Sequence, residues 1–305
     1  MRTILKMSVL VTVVVASALA LGACSTSGHP RDPGEFSVAV AENFWGSIVE
    51  QLGGHDAHVT SIIANPNADP HDYEPTVADA RTIATARYVV ENGIGYDGWV
   101  QKLVDANPDS NRMVLNVGDL LGLDAGSNPH QWYSPRSVRR FVAQVSADLA
   151  RLDPAHRATY AARRRAFESA GLEEYNRLIS EIKSRYAGTP IGASESIVGP
   201  WASGLGLRLI TPERFVDAIA EGNDPTRADK ATVDEQIADR KIKVFVYNSQ
   251  NTTPDVKRLV DAARRAGIPV TGITETLEPE HTTFQAWQAS ELRALLDALS
   301  GSSSP

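Results

Sequence analysis

The stretch that decides the fold is AHRATYAARRRAFESAGLEEYNRLISEIKSRY, residues 155–186. It contains no proline and a single glycine, Gly171, and it is rich in alanine, arginine, glutamate and leucine. These residues favour a helix, and one unbroken helix here would extend about 45–50 Å at the usual rise of about 1.5 Å per residue. Because such a helix is longer than one small domain, residues 153–187 predict a helical backbone that joins two lobes.

Strands alternate with helices on both sides of this stretch. Before it, short apolar runs predict strands at residues 36–40, 58–64, 87–91 and 112–117. After it, similar runs predict strands at residues 190–194, 243–247 and 269–274. This alternation is typical of a mostly parallel sheet with helices on both faces. The sequence therefore predicts an α/β fold of two lobes, residues 36–152 and 188–300, joined by the long helix, with residues 301–305 as a tail.

The amino terminus has the pattern of an export signal. Two basic residues, Arg2 and Lys6, precede an apolar run at 7–21, which is too short for a comfortable membrane span. The run leads into Leu-Gly-Ala-Cys at 21–24, which resembles a bacterial lipobox. We expect residues 1–23 to be a lipoprotein signal peptide, Cys24 to be the lipid attachment site, and residues 24–35 to be a flexible tether. The alternative is a plain secretory signal with a chance cysteine.

Composition limits the classes of partner and site. Without the two basic residues of the signal, 28 basic residues face 37 acidic ones, a net charge of about −9. An acidic balance argues against nucleic acid as a partner and is compatible with cation capture. Since Cys24 is the only cysteine, any metal site must use histidine, aspartate or glutamate.

Four candidate ligands follow predicted strands, at the edge where open α/β sheets bind their ligands. His71 and His130 come from the first half, and Glu195 and Glu275 from the second. Two imidazoles and two carboxylates would neutralise a divalent transition metal. The alternative for His71 taken alone is a surface histidine in a rigid turn, and the alternative for each glutamate taken alone is a charge at a helix start.

Two segments resemble motifs of a known family: NPNADPHDYEPT at 65–76 and NPHQWYSP at 128–135. They are similar to ligand motifs in the metal-binding solute-binding lipoproteins of zinc and manganese ABC importers, the cluster A-I or cluster 9 receptors with a helical backbone. The resemblance covers residues 36–299 and includes Gly93-Ile-Gly95 and Val246-Tyr-Asn248. It implies one metal site, with a ligand in each of four loops: His71, His130, Glu195 and Glu275. Some relatives have histidine at the third place and aspartate at the fourth.

The resemblance also implies a function. It implies a monomeric receptor, lipid-anchored on the outer face of the bacterial membrane, that takes up Zn²⁺ or Mn²⁺ as cargo for an ABC permease and its ATPase. Which metal is carried stays open. His281 is a spare ligand candidate, and Glu42 is a candidate for orienting a ligand imidazole. Many zinc-specific relatives carry a His-rich loop near the second ligand, but residues 121–128 contain no histidine.

Other functions have less support in the sequence. The pattern Gly93-Ile-Gly-Tyr-Asp-Gly98 matches a dinucleotide fingerprint, but it lies outside the first β-α unit. No P-loop and no G-x-S-x-G element is present, so we do not expect an enzyme. Two alternatives remain: a surface adhesin on the same fold, and a receptor for a metal chelate such as a siderophore or haem.

Overall fold

Eight strands form two separate parallel sheets in the computed structural model, which describes residues 36–65 and 73–301. The first four strands are β1 Phe36–Glu42, β2 Ala57–Ile63, β3 Tyr88–Glu91 and β4 Met113–Asn116. The last four are β5 Pro190–Ala193, β6 Arg208–Leu209, β7 Phe245–Asn248 and β8 Val270–Ile273. The sheet orders are β2-β1-β3-β4 and β6-β5-β7-β8, with every pair parallel. The predicted fold class, two small parallel α/β units, is confirmed.

The two sheets share one topology. In each, the chain passes from the first strand to an outer neighbour and then returns to the other side of the first strand. The order therefore reverses between β1 and β3, and again between β5 and β7. Crevices at such reversals are the usual ligand sites of open α/β sheets.

Helices cover both sheets, and several begin where capping residues predict. Thr76 accepts from the backbone N–H of Asp79, whose carboxylate accepts in return from the Thr76 N–H. Ser134 caps the helix that Pro135 begins. Both arrangements satisfy N–H groups that a helix start leaves without partners. The twelve α-helices of the described residues are α1 Asn43–Gly53, α2 Val77–Thr85, α3 Trp99–Ala106, α4 Val117–Leu121, α5 Pro135–Leu152, α6 Arg157–Ala166, α7 Glu173–Tyr186, α8 Val198–Leu205, α9 Glu213–Ala220, α10 Arg227–Ala238, α11 Pro254–Arg265 and α12 Phe284–Ser300.

The long connecting stretch is helical but is not one uninterrupted α-helix. A 3₁₀ turn at Pro154–His156 precedes α6, and a π-helical segment at Phe167–Gly171 separates α6 from α7. There the N–H of Leu172 donates to the Phe167 carbonyl at 2.8 Å, five residues back. Gly171, the residue of lowest helix propensity in the stretch, lies at this break. The expectation of a single unbroken helix over residues 153–187 was wrong in this respect.

A continuous apolar core runs through both halves of the chain. In the first half, Phe44 stacks on Trp132 with ring centroids 3.8 Å apart. Tyr133, also of the first half, packs against Trp201 at 5.7 Å and Trp287 at 5.6 Å, both from the second. These rings are fully or almost fully buried. Aromatic packing of this kind fixes the two sheets relative to each other over the region where their carboxyl ends face one another.

Helices long and apolar enough to cross a membrane do not occur within residues 36–65 and 73–301. The predicted signal peptide, tether and lipid attachment site at Cys24 lie outside the described residues, as does His71.

Candidate metal centre

His130 is buried and its ring orientation is set by Asn128. Asn128 Oδ1 accepts from the backbone N–H of His130 at 3.0 Å and lies 2.9 Å from His130 Nδ1. Because the backbone N–H must donate, the Asn128 atom is the carbonyl oxygen, and Nδ1 therefore carries the ring proton. This leaves Nε2 as the nitrogen with a lone pair, the form that binds a metal.

Asn128 also reaches the second half. Its amide nitrogen donates to the carbonyl oxygen of Ser196 at 2.6 Å. Ser196 directly follows Glu195, so one side chain holds the His130 loop and the Glu195 loop in register. Asn92 supports the same loop, because its amide donates to the Pro129 carbonyl at 3.0 Å.

Glu195 and Glu275 are buried and share a donor, Asn248. Asn248 Nδ2 donates to Glu195 Oε1 at 2.5 Å and to Glu275 Oε1 at 2.9 Å, which uses both of its amide protons. Asn251 donates to the other oxygen of Glu195 at 2.8 Å. These donors are neutral amides, so they orient the two carboxyl groups without adding positive charge beside them. Such a pair is suited to a divalent cation.

Tyr96 joins Glu275 to the His130 region. Its hydroxyl donates to Glu275 Oε2 at 2.7 Å, and its ring centroid lies 6.1 Å from that of His130 in an edge-on arrangement. The glycine pattern before Tyr96 has a structural role. Gly93 has a φ of 71°, and a Cβ there would lie 2.2 Å from Asn116 Oδ1. Only glycine allows this close approach, so the pattern shapes the loop that presents Tyr96.

A cavity of about 630 Å³ opens beside His130 and is lined by residues of both halves, including Tyr96 and Ser196. Three carboxylates spaced four residues apart form part of its wall: Glu213 and Asp217 of α9, and Glu221, which directly follows that helix. Burial, and then the charges of Glu213 and Glu221, raise the pKa of Asp217. An acidic wall attracts cations and repels anionic complexes.

The four predicted ligands differ in what the structure describes. Hydrogen bonds and ring contacts through Asn128, Asn248 and Tyr96 link His130, Glu195 and Glu275 into one buried group. His71 falls in residues 66–72, outside the described part. Within the described part, no three histidine, cysteine or acidic side chains are grouped closely enough to hold a metal ion by themselves. The set of four ligands therefore stays a prediction.

The two accessory candidates lie in different surroundings. Glu42 is fully buried at the end of β1, and among the described residues neither of its carboxyl oxygens has a hydrogen bond of good geometry. Burial raises the pKa of Glu42 well above the usual range, and the nearby acids Asp97 and Glu91 raise it further. His281 is 89% exposed beside Glu280 and lines a different cavity from His130. The structure does not place His281 in the buried group.

Sequence reasoning overlooked the side chains that organise this group: Tyr96, Asn128, Asn248 and Asn251. One signal was available for Asn248, because it directly follows the strand predicted at residues 243–247. Searching the strand ends for amides as well as charged groups would have found it. The glycine pattern at residues 93–98 marked the loop of Tyr96 but not the role of its side chain, and Asn251 lies in a loop without a local signal.

Comparison with known proteins is consistent with this arrangement. Residues 38–298 match the family model described as zinc-uptake complex component A, periplasmic. The chain is 29% identical over 163 residues to the iron-binding protein YfeA of Yersinia pestis, a match that covers 51% of this chain and 52% of that protein. It is 27% identical over 209 residues to the manganese-binding lipoprotein MntA of Halalkalibacterium halodurans, which covers 62% and 69%. The chain thus spans about half of the first relative and about two thirds of the second.

Solved structures show the same fold. One is the cadmium-bound periplasmic metal binding protein from candidatus Liberibacter asiaticus, with a TM-score of 0.72 and 19% identity. The superposition covers 87% of this chain and 99% of that one. With its sheets, its buried histidine and carboxylates, and a family model matched over most of its length, this chain belongs to the zinc-uptake complex component A family.

Proposed function

We propose that this chain is an extracytoplasmic, lipid-anchored receptor. It captures one divalent transition metal ion, zinc or manganese, between its two sheets, and it delivers that ion to the permease and ATPase of an ABC importer. The chain acts as a monomer and performs no catalytic step. The family and the names of its metal-binding relatives support this proposal.

The observation that carries the proposal is the buried group of His130, Glu195 and Glu275. Its donors are neutral, its imidazole is held with Nε2 as the metal-binding nitrogen, and it lies at the carboxyl ends of both sheets. A bare cation fits this chemistry. The acidic wall of the adjoining cavity favours a hydrated cation over an anionic siderophore complex or haem.

Both zinc and manganese fit the ligand types. Imidazole nitrogens suit zinc, whereas two carboxylates favour manganese more than a set of histidines would. Zinc binds most nitrogen and oxygen sites more tightly than manganese does, so affinity alone does not identify the cargo. The test is metal analysis of protein purified without added metal, followed by competition between the two ions. Absence of any divalent-metal binding would reject the receptor and favour the adhesin alternative.

Delivery requires a test in cells. A strain without this chain should take up radiolabelled zinc or manganese more slowly, and the wild-type gene should restore uptake. A His130→Ala gene, expressed at the same level, should not. Full restoration by the variant would contradict capture by this site.

Anchoring depends on Cys24. A Cys24→Ser protein should leave the membrane fraction, because the lipid is the proposed anchor and the helices of the described residues are too short or too polar to span. A Cys24→Ser protein whose signal has been removed and which still sediments with membranes would contradict this anchor.

A further inference from the structure

One hydroxyl beneath the candidate centre faces two acceptors. The Tyr133 oxygen lies 2.7 Å from the Thr274 carbonyl oxygen and 2.7 Å from Glu291 Oε2. A phenol has one proton to donate. If Glu291 were ionised, one of these two oxygens would face a Tyr133 lone pair at hydrogen-bond distance, which is repulsive.

A proton on Glu291 removes this conflict. The acid then donates from Oε2 to the Tyr133 oxygen, and Tyr133 donates to the Thr274 carbonyl. Glu291 Oε1 remains an acceptor for the Thr274 N–H at 2.9 Å. Burial raises the pKa of Glu291 to about 8, against the lowering effect of its bonds with Tyr133 and Thr274. Near neutral pH the protonated form therefore predominates.

The two partners of Glu291 belong to the loops that carry candidate ligands. Tyr133 lies three residues after His130, in the first half, and Thr274 directly precedes Glu275, in the second. Trp287, one turn before Glu291 on α12, adds a bond from its indole nitrogen to the Thr274 hydroxyl at 2.8 Å. α12 thus contacts both loops at once, from beneath the group that contains His130 and Glu275.

We propose that Glu291, as a neutral carboxylic acid, is a positioning residue that fastens the His130 loop to the Glu275 loop. The proposal rests on the proposed function, in which His130 and Glu275 bind the same ion. An ion between two loops binds more tightly when their separation is already set, because less ordering is required on binding. Ionisation of Glu291 removes the proton that it donates to Tyr133, and this weakens the connection between the His130 loop and the Glu275 loop.

Few charged groups compete for Glu291. Among the described residues, Tyr133 is the titratable side chain that hydrogen-bonds to Glu291, and Glu275 directly follows Thr274, the other partner. From α7, Tyr175 packs against Phe284, two turns before Glu291 on α12. β8 itself carries no titratable side chain. On α7, Glu174 pairs with Arg177 of the same helix and with the exposed Arg293 of α12. From α1, the side chains that hydrogen-bond to the start of α12 are the neutral groups of Ser47 and Gln51.

The test compares three variants of the full chain. Glu291→Gln keeps a donor and an acceptor and has no charge. Glu291→Met keeps a similar volume but neither polar function. Asp297→Asn, an exposed position on the same helix, is the matched control for a lost carboxylate. Zn²⁺ and Mn²⁺ affinities are measured by calorimetry from pH 6 to pH 9.

The expected pattern separates a neutral acid from a carboxylate. At neutral pH, Glu291→Gln and Asp297→Asn should stay within about threefold of wild type. Glu291→Met should lose about tenfold or more, the usual effect of removing a group that supports a metal ligand. The metal affinities of wild type and Asp297→Asn should fall as the pH rises through about 8. The affinity of Glu291→Gln should not show this fall. If Glu291→Met does not fold, Tyr133→Phe, which removes the relaying hydroxyl, should show the tenfold loss instead.

Contrary outcomes are distinct. A Glu291→Gln protein as weak as Glu291→Met would mean that an ionised carboxylate is needed, and wild-type affinity in Glu291→Met or Tyr133→Phe would remove the positioning role. The infrared difference between metal-free wild type and Glu291→Gln should contain a carboxylic-acid carbonyl band that disappears near pH 8; its absence at pH 6 would overturn the neutral acid. If wild type binds neither ion, the proposed function itself fails, whereas the infrared result stands independently.

Discussion

The two sheets have the same strand order, but they place different side chains at the point where that order reverses. In the first sheet, Glu42 ends β1 and Glu91 ends the neighbouring β3. In the second, Glu195 follows β5 and Asn248 ends the neighbouring β7. At the strand-order reversal of the first sheet, the strand ends carry two acids. At the reversal of the second sheet, they carry an acid and an amide.

The chemical consequences differ accordingly. Burial and the nearby Asp97 raise the pKa of Glu91 to about 7, and the pKa of Glu42 rises well above its usual range. Glu195 instead accepts hydrogen bonds at both oxygens from Asn248 and Asn251. Glu91 accepts one amide bond, from Asn116 at 2.8 Å, whereas among the described residues Glu42 has none of good geometry. The comparison indicates that topology supplies the position, whereas the neighbouring acids and the number of neutral donors set the pKa of the carboxyl group there.

The largest expected effect separates the two kinds of acid. Glu275→Gln, His71→Ala and His130→Ala should each weaken metal binding more than about 100-fold, above the usual range for a group that only supports a ligand. Glu42→Gln should change affinity less than about threefold, because glutamine resembles the protonated acid in size and charge. Calorimetry on matched samples is the measurement. A large loss in Glu42→Gln would show that both strand-order reversals serve the metal.

Acid should weaken metal binding, because the two candidate histidine ligands of the first half become protonated. The imidazoles of His71 and His130 must be neutral to bind, and histidine ordinarily titrates near pH 6.5. Between about pH 7.5 and pH 5.5, two such ligands should cost roughly 100-fold in affinity. Affinity that stays flat from pH 8 to pH 5 would exclude histidine ligands and leave the site to the carboxylates of the second half.

Asn128 tests the link between the halves. Asn128→Ala removes the acceptor that orients His130 and the donor to Ser196. Affinity should fall about 10- to 100-fold, since partners behind a ligand histidine commonly have effects of this size. Asn251→Ala, which removes one of the donors to Glu195, is the matched comparison and should cost less. Equal, small losses in both would argue that His130 needs no orientation.

The stability of the metal-free protein should depend on pH because of Glu91, one of the two acids at the reversal of the first sheet. Glu91 keeps its proton in the folded state up to about pH 7, whereas an unfolded glutamate releases it near 4.5. Its stabilising contribution is therefore present below about pH 4.5 and is lost as the pH rises through about 7. Glu91→Gln should lack this loss, so its free energy of unfolding relative to wild type should improve by on the order of 1–3 kcal/mol from pH 5 to pH 8. Denaturant titrations at several pH values measure this, with Asp297→Asn as the control. The same dependence of unfolding free energy on pH in Glu91→Gln and Asp297→Asn would refute it.

The smallest effect should be on overall dimensions. Hydrogen bonds join the halves at several places besides Asn128, including the Leu277 N–H to Asn43 Oδ1 at 3.3 Å and the Phe284 N–H to Ser47 Oγ at 3.0 Å. We expect the radius of gyration, roughly 19 Å for a folded chain of this size, to change little when metal binds. Solution scattering with and without metal tests this. A large decrease would mean that the helical stretch bends, and the π-helical segment at Phe167–Gly171 is where bending would occur.

Periodic patterns in the sequence predicted most of the secondary structure. The strands β1 to β5, β7 and β8 and the caps at Thr76 and Ser134 lie where apolar runs and capping residues indicate, because both signals act within a few residues. Strand β6 was not predicted, since two residues, Arg208 and Leu209, are too short for any pattern. The π-helical break was not predicted either, because a single glycine does not by itself end a helix.

The amino-acid sequence alone predicted the fold class and nominated candidate ligand residues after the strands, since these follow from local pattern and from the segments around His71 and His130. Only the tertiary structure decided which acids receive donors. Asn248 reaches Glu195 across 53 residues, Tyr133 reaches Glu291 across 158, and Tyr96 reaches Glu275 across 179. No local pattern encodes such pairs, because each depends on how the sheets and loops pack. In a buried region, hydrogen bonds of this kind help to set the pKa of a carboxyl group, and so whether it is protonated or negatively charged.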